Sequence, residues 1–465
     1  MNIKNIKKVS KNYYYKLKIL IFLSFLASLL ELFGIASIPF LVSSIINPEN
    51  SYLQKIFSLF NPEAIKDIDF NLNYFLILIC TIFISKNLFL VWIYNFEEKI
   101  FYNIKVSNAN SIFNYYLFSK IDYFKNKNSS VLIRNLVQEN TQAVYYIHSL
   151  VTIGRELLIL ILILLLLFFN SFKVTFIAIF FISLISYFFY FFFKSEFKKR
   201  GIEVQNFKSK ILKQLNETFG AIKEIKLLQA ENKISLSFNN IVSKLENNYR
   251  YQQFVSRLTR PFLEILSIIF LILLIYNFYS NNYNTEKLIF DLTLFSICFL
   301  RFIPAFNIIT RSYSKLKFLQ PAIKVIGDEL ENISNLEIEK LKNKKNYNFE
   351  EIKNFNFSSL KFENVEYKYD NKSIFRNISF EINKGDKVVI SGPSGRGKTT
   401  LCDLLLGLIE QSQGVITINN NANIIRNVSW KNILSYVPQN IFLLDGTIIQ
   451  NLMFDTSIVN YDKKK

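Results

Sequence analysis

The residues with the clearest chemistry form one glycine-rich loop, Gly392-Pro393-Ser394-Gly395-Arg396-Gly397-Lys398-Thr399-Thr400. This loop fits the pattern G-x-x-x-x-G-K-[ST] and lies between an apolar run and a helical pattern. In such a loop, backbone N–H groups close around phosphate oxygens, and the amino end of the following helix adds positive potential. Lys398 would reach the β- and γ-phosphates, Thr399 would ligate Mg²⁺ and Thr400 would donate to the α-phosphate. The sequence therefore predicts a nucleotide phosphate site.

Short alternating apolar runs surround this loop and predict a small α/β domain. We expect strands at 360–366, 374–382, 387–391, 414–418 and 433–437, and a helix over 398–408. The third of these strands would lead directly into the loop, as the motif requires.

Six apolar stretches precede the loop and predict an all-α membrane domain. They lie at 18–46, 71–94, 143–169, 172–193, 261–280 and 286–306. The net charge of +19 is concentrated at the ends of these stretches, which indicates membrane topology and argues against a nucleic-acid partner. Segments 97–142 and 194–260 would face the cytoplasm, and the loop 47–70 would face outward.

The pattern predicts four regions along the chain. They are an interfacial helix over 1–16, a six-span membrane domain over 17–330, a linker over 331–356 and a nucleotide-binding segment over 357–465. Helical rhythm continues through both cytoplasmic segments, with bends expected near 121–124 and 220–225. The second to fifth membrane helices would therefore extend well beyond the bilayer. Cys80, Cys298 and Cys402 have no spacing typical of a disulfide framework or a metal site.

Motifs beyond the loop resemble those of ABC transporters of the exporter type, in which one half-transporter joins a membrane domain to a nucleotide-binding domain. The matching segments are 362–369, 374–380, 384–386, 436–439 and 444–452. The resemblance implies ATP and Mg²⁺ as cofactors, with Tyr369 stacked on adenine. It also implies that Gln439 touches Mg²⁺ or the attacking water and reports occupancy to the membrane helices. Alternatively, Tyr369 is a core residue of its strand.

Three family motifs expected after residue 452 do not occur: the LSGGQ-like signature segment, the strand ending in Asp-Glu and the histidine switch. The only histidine, His148, lies in the third span, where we interpret it as a packing residue. No catalytic residue is therefore assigned, and the nucleotide-binding segment is expected to be incomplete. One hypothesis is that the chain is a truncated remnant that does not hydrolyse ATP.

Two segments resemble flippases that turn over lipid-linked oligosaccharides for protein glycosylation. They are 30–40 in the first span and 300–309 at the end of the sixth. The resemblance implies a lipid-linked or amphipathic substrate, whose pyrophosphate would be screened by Lys86, Arg301 and Arg311. Intramembrane charges without a neighbouring countercharge usually face a cavity, whereas Arg155–Glu156 and Arg260–Glu264 are close enough in sequence to pair.

The predicted partners are the lipid bilayer and a second half-transporter, in a homodimer at the cytoplasmic membrane of a bacterium. Peptide, toxin and drug exporters remain alternatives within the same family. A membrane-anchored kinase or GTPase would share the phosphate loop, but it would explain neither the six spans nor residues 436–439.

Overall fold

The structure is a computed structural model, and it describes residues 3–46, 72–125, 127–170, 172–280, 285–335, 356–369, 372–421, 428–439 and 441–454. The chain divides into two compact units. A helical unit comprises Met1–Ser119 and Asn126–Ile338, and a sheet unit comprises Lys120–Lys125 and Glu339–Lys465.

The helical unit is built mainly of long helices. Its elements are α1 (Ile3–Val9), a 3-10 turn (Lys11–Tyr13), α2 (Tyr14–Ile46), α3 (Leu72–Phe118), α5 (Ser129–Arg134), a π-helical turn (Asn135–Glu139), α6 (Asn140–Asn170), α7 (Phe172–Gly220), α8 (Ile222–Leu227), α9 (Glu231–Ser280) and α10 (Thr285–Asn335). The short helix α4 (Ile121–Lys125) belongs to the sheet unit.

Each predicted membrane span falls on one of these long helices. Within the described residues, four segments are long and apolar enough to cross a bilayer: Lys11–Val42, Leu76–Phe118, Ser129–Asn170 and Ile289–Ile333. The spans at 172–193 and 261–280 are helical, but many of their side chains lie outside the described ones. The chain is thus a multi-pass membrane protein, and the count of six spans stays a prediction. The outward loop at 47–70 lies outside the described residues.

The apolar side chains of the helical unit face both inward and outward. A core of Ile159, Ile163, Phe290, Leu294 and Phe295 joins α6 to α10. On α9, the outer stripe at helical spacing is exposed: Phe262, Ile265, Ile268, Ile269 and Ile272 are each 46–60% accessible. An exposed apolar stripe on a span is the surface that lipid tails cover.

The predicted bends and helix extensions are confirmed. Helix α3 ends at Phe118 before α4, and α7 ends at Gly220 before α8. Helices α3, α7 and α9 contain 47, 49 and 50 residues. At 1.5 Å per residue each is roughly 70 Å long, more than twice the hydrocarbon thickness of a bilayer.

Three antiparallel strands, β1 (Ser359–Tyr369), β2 (Lys372–Asn383) and β3 (Gln413–Ile418), form the sheet in the order β2-β1-β3. Leu360 pairs with Ile382 on one side and Ile418 on the other. The sheet unit also contains three short helices, α11 (Lys398–Leu405), α12 (Val428–Ile433) and α13 (Ile448–Met453). The core includes Phe362 and Val365 from β1. The strands predicted at 360–366, 374–382 and 414–418 are confirmed.

Two other strand predictions are wrong. The run 387–391 has no strand geometry, and Val388 and Val389 are 54% and 88% exposed. Residues 434–437 are likewise outside any strand, and Ile433 ends α12. A segment forms a β-strand only when it can hydrogen-bond to a neighbouring strand. In the described part of the chain, neither segment has one.

The observed boundaries also refine the predicted regions. Helix α10 continues to Asn335, beyond the predicted linker start at 331, and residues 336–355 lie outside the described ones. The sequence analysis did not predict that Lys120–Lys125 belong to the sheet unit. Ile121 packs against the sheet core, and Lys120 Nζ lies 3.0 Å from Glu410 Oε1.

Candidate functional site: the phosphate loop and the membrane charges

The phosphate loop needs its glycines because all three have positive φ angles. The φ angles of Gly392, Gly395 and Gly397 are +153°, +79° and +87°. Gly397 also packs closely on strand β2, since a Cβ there would lie 2.7 Å from Ile374 Cγ2 and 3.3 Å from Phe375 Cδ1. A side chain at 397 would therefore meet both backbone strain and a steric clash.

Helix α11 presents free N–H groups to this loop. Gly397 is its N-cap, and no side chain caps the helix. The N–H of Leu401 donates to the Gly397 carbonyl at 2.8 Å, and the donors of the preceding turn have no acceptor within the helix. The helix is anchored by buried Leu404 and by Trp430 Nε1, which donates to the Leu405 carbonyl at 2.8 Å. These features make the start of α11 a suitable site for phosphate.

Lys398 lies across the loop. Its Nζ donates to the carbonyl oxygens of Gly392 at 2.6 Å and Pro393 at 2.9 Å. No carboxylate within the described ranges forms an ion pair with it. The Thr399 side chain is exposed and Thr400 is half-buried, while Ser394 and Arg396 are exposed at the loop surface. The cation and the hydroxyl that would hold phosphate and Mg²⁺ therefore lie on adjacent residues at one helix end.

The structure places Tyr369 on the strand pair that supports the loop. Tyr369 is the last residue of β1 and pairs with Lys372 at the start of β2. In the same pair, the rings of Tyr367 and Phe375 lie 6.2 Å apart, and Phe375 contacts the loop beside Gly397. Tyr369 also packs on the edge of the sheet core, so both of its predicted interpretations remain open.

Gln439 is exposed and lies outside helices and strands. Among the described residues, no hydrogen bond joins it to the phosphate loop. Its proposed role near Mg²⁺ therefore stays a prediction.

The helical unit contains a chain of buried and half-buried charges that sequence spacing did not predict. Arg301 Nε lies 2.6 Å from Glu31 Oε1, and Arg301 Nη2 lies 3.4 Å from Glu156 Oε2. Arg155 Nη1 lies 2.7 Å from Glu97 Oε2. These pairs connect α2, α3, α6 and α10. The sequence separations are 58, 145 and 270 residues, so only tertiary structure brings the groups together.

One expectation about a charged residue therefore needs correction. Arg301 has two carboxylate partners, although no countercharge is adjacent to it in sequence. The His148 ring packs 4.9 Å from that of Phe101, in agreement with the packing interpretation, and its Nε2 lies 3.4 Å from Glu97 Oε1. The Arg260–Glu264 pair is confirmed, at 2.7 Å.

Lys86 and Arg311 remain without a carboxylate partner in the described part of the chain. Lys86 is only 9% exposed, and its Nζ lies 4.7 Å from the centre of the Phe83 ring. Arg311 lines an open cavity of about 910 Å³ between α9 and α10, with Arg257 and Arg260. The two residues have the unpaired charge that the sequence analysis expected, whereas Arg301 does not.

Comparison with known proteins supports the nucleotide site. Residues 375–464 match the family model described as ABC transporter. The lactococcin-G-processing and transport ATP-binding protein LagD of Lactococcus lactis subsp. lactis is 40% identical over 100 residues, 21% of this chain and 14% of LagD. ATP-binding cassette sub-family C member 2 of Mus musculus is 29% identical over 279 residues, 58% of this chain and 16% of the mouse protein. The chain thus spans less than a fifth of either relative.

Structural comparison extends the similarity to the membrane helices. A solved structure of a bacterial Atm1-family ABC exporter with ATP bound matches with a TM-score of 0.67 and 14% identity. The match covers 96% of this chain and 74% of that exporter, so it applies to the fold of the whole described chain. Residues 375–464 thus match the ABC transporter family model, and nearly the full chain has the fold of a solved ABC exporter.

Proposed function

We propose that this chain is the ATP-binding subunit of an exporter that moves a lipid-linked or other amphipathic substrate outward across a bacterial cytoplasmic membrane. The observation that carries the proposal is the phosphate loop, in which Gly397 packs on β2 and α11 begins without a side-chain cap. The same chain contains helices long and apolar enough to cross the bilayer. Two such chains would act together, as a homodimer.

The residues of the loop fit ATP and Mg²⁺. Lys398 would hold the β- and γ-phosphates, Thr399 would ligate Mg²⁺, and Thr400 would donate to the α-phosphate. Tyr369 would stack on adenine, and Gln439 would contact the metal. Bound ATP supplies the free energy of phosphoryl transfer to water, whereas the loop itself binds and orients the phosphates.

A substitution at Lys398 tests nucleotide binding. Because hydrogen bonds to charged groups contribute about 1.5–3 kcal/mol, Lys398→Ala should weaken ATP binding roughly 10- to 100-fold. The matched control is Lys384→Ala, since Lys384 donates to Asn356 Oδ1 at 3.0 Å in an exposed turn outside the loop. Fluorescent ATP-analogue titration of the purified chain measures both. Equal ATP affinity in Lys398→Ala and the parent chain would refute the assignment.

The substrate class is argued from the unpaired cations. Lys86 and Arg311 would attract the anionic part of the substrate, because intramembrane cations without partners are retained where they face water or a ligand. Apolar Leu300 and Ile303 line the cavity beside Arg311, which suits an amphipathic molecule. Arg301, paired to Glu31, is expected to contribute less than the sequence analysis assigned to it.

Reconstituted vesicles with a fluorescent lipid-pyrophosphate analogue test this assignment. Lys86→Ala and Arg311→Ala should each slow ATP-driven movement of the analogue without changing ATP binding. Lys213→Ala is the control, since Lys213 is paired with Glu217 at 3.6 Å and does not line the cavity beside Arg311. Unchanged movement in both variants, with unchanged ATP turnover, would exclude the proposed substrate contact.

Peptide export is the second candidate. The observation that favours it is the likeness to LagD, which processes and transports lactococcin G. Drug export remains a third possibility within the family. Stimulation of ATP turnover by a peptide, and not by the lipid-pyrophosphate analogue, would favour the peptide.

A further inference from the structure

The amino-terminal helix α1 is fixed against the end of α10 by close packing. Asn5 is 5% exposed, and a Cβ at Gly327 would lie 2.7 Å from Asn5 Cγ. Only glycine therefore allows α1 to approach α10 at this point. Asn108 of α3 donates its Nδ2 hydrogen to the Val9 carbonyl at 3.1 Å, which holds the other end of the helix. The basic helix is thus part of the folded unit.

A cavity of about 500 Å³ lies where α1, α3 and α10 meet, and it is strongly basic. Lys4, Lys7, Lys8 and Lys11 all line it. Glu331 lies 3.1 Å from Lys4 Nζ and 2.6 Å from Lys8 Nζ. Four positive side chains against this one negative side chain leave a net charge of +3. In the described ranges, Lys7 and Lys11 have no carboxylate within ion-pair distance.

Neutral hydrogen-bond donors complete the lining. Tyr13, Ser107 and Ser111 place hydroxyl groups around the same cavity, and Leu330 lies at its apolar side. Ammonium groups with hydroxyl donors are the usual partners of phosphate oxygens. The chemistry of the cavity therefore matches a phosphate monoanion attached to a partly apolar molecule.

The position of the cavity selects the source of that phosphate. Lys11 is the first residue of the apolar segment Lys11–Val42, and Tyr14 and Tyr15 beside it are 36% and 75% exposed. Aromatic rings at the start of a span mark headgroup depth, and basic residues mark the cytoplasmic leaflet. We propose that this cavity binds the phosphate headgroup of an acidic phospholipid of the cytoplasmic leaflet, with Lys7 and Lys11 as its principal ligands. The proposal rests on the membrane placement of α2, and not on ATP binding or on the transported substrate.

The test compares lipid binding by the full chain in neutral detergent. Phosphatidylglycerol or phosphatidylcholine is titrated in mixed micelles, and bound lipid is counted by native mass spectrometry. The parent chain should bind phosphatidylglycerol preferentially, and Lys7→Gln/Lys11→Gln should weaken that binding about 25-fold, from the usual contribution of two basic residues near an anionic lipid surface. Lys7→Arg/Lys11→Arg should retain it, because the charges are kept.

The matched control removes two lysines nearby. Lys16 and Lys18 lie at the same end of α2 but do not line the cavity, and their Nζ atoms lie 5.6 and 5.3 Å from the Tyr13 and Tyr14 ring centres. Lys16→Gln/Lys18→Gln should change the affinity less than threefold. Equal losses in the two double variants would show diffuse attraction to the lipid surface and overturn the proposal.

Two more outcomes separate this proposal from its alternatives. Displacement of phosphatidylglycerol by millimolar inorganic phosphate, with equal binding of the free ion, would identify an ion site and refute the lipid assignment. ATP-analogue binding is measured on the same samples and should be equal in all variants. If the parent chain does not bind the ATP analogue but still binds phosphatidylglycerol selectively, the proposed function would be refuted and this inference supported.

Discussion

Replacing Gly397 with alanine should disable the phosphate loop by strain that the structure allows us to estimate. At φ +87°, an L-residue is less stable than glycine by roughly 1–2 kcal/mol. The added Cβ would also lie 2.7 Å from Ile374 Cγ2, so the loop or β2 must shift. If the loop instead adopts another conformation, the competent fraction decreases, and the apparent Kd for ATP increases by the same factor. The backbone term alone predicts a roughly 5- to 30-fold weaker affinity.

The assay is ATP-analogue titration of Gly397→Ala beside two companions. Gly385→Ala has a similar backbone penalty, at φ +93°, but a Cβ there meets no atom within 4 Å and the residue lies outside the loop. It should reduce stability and leave ATP affinity unchanged. Gly397→Ala/Ile374→Ala removes the clash and should recover only the steric part of the loss. An unchanged Kd in Gly397→Ala would show that the loop does not need this conformation to bind phosphate.

Two further predictions concern the helical unit, with the midpoint of thermal unfolding in detergent as the measurement. Arg301→Leu should destabilise the chain by roughly 1–3 kcal/mol because it leaves a half-buried Glu31 without its cation. Adding Glu31→Leu should restore part of that loss, and no recovery in the double variant would argue against direct coupling. Gly201→Ala should destabilise the chain by about 1–3 kcal/mol, since its Cβ would overlap the backbone carbonyl of Phe318. Gly154→Ala has open space around its Cβ, so it should be neutral or should stabilise the chain by up to about 1 kcal/mol. Equal midpoints for the two glycine variants would contradict the packing argument.

The sequence predicted those features that depend on local pattern. The presence of long helices, the bend after Phe118 and the strands at 360–366 and 374–382 follow from periodicity and breaking residues. The loop glycines were identifiable because a fixed motif imposes their backbone conformations. Each of these signals is local in the sequence.

Features that depend on distant partners were missed. The run 387–391 is as apolar as the observed strands. A strand also needs a partner strand, and the local sequence does not show whether one is present. Arg301 looked unpaired because its partners Glu31 and Glu156 are 270 and 145 residues away. Conserved spacing of oppositely charged residues on different spans is the signal that could have identified them, and it needs more than one sequence.

The membership of Lys120–Lys125 in the sheet unit has a mechanical consequence. The polypeptide crosses between the two units three times: after Ser119, after Lys125 and after Ile338. A single proteolytic cut between 336 and 355 would therefore leave the carboxyl-terminal fragment attached through the packing of Ile121 and the Lys120–Glu410 ion pair. The two fragments should co-elute in chromatography for as long as this five-residue helix stays packed on the sheet core. They should separate only under conditions that dissociate it.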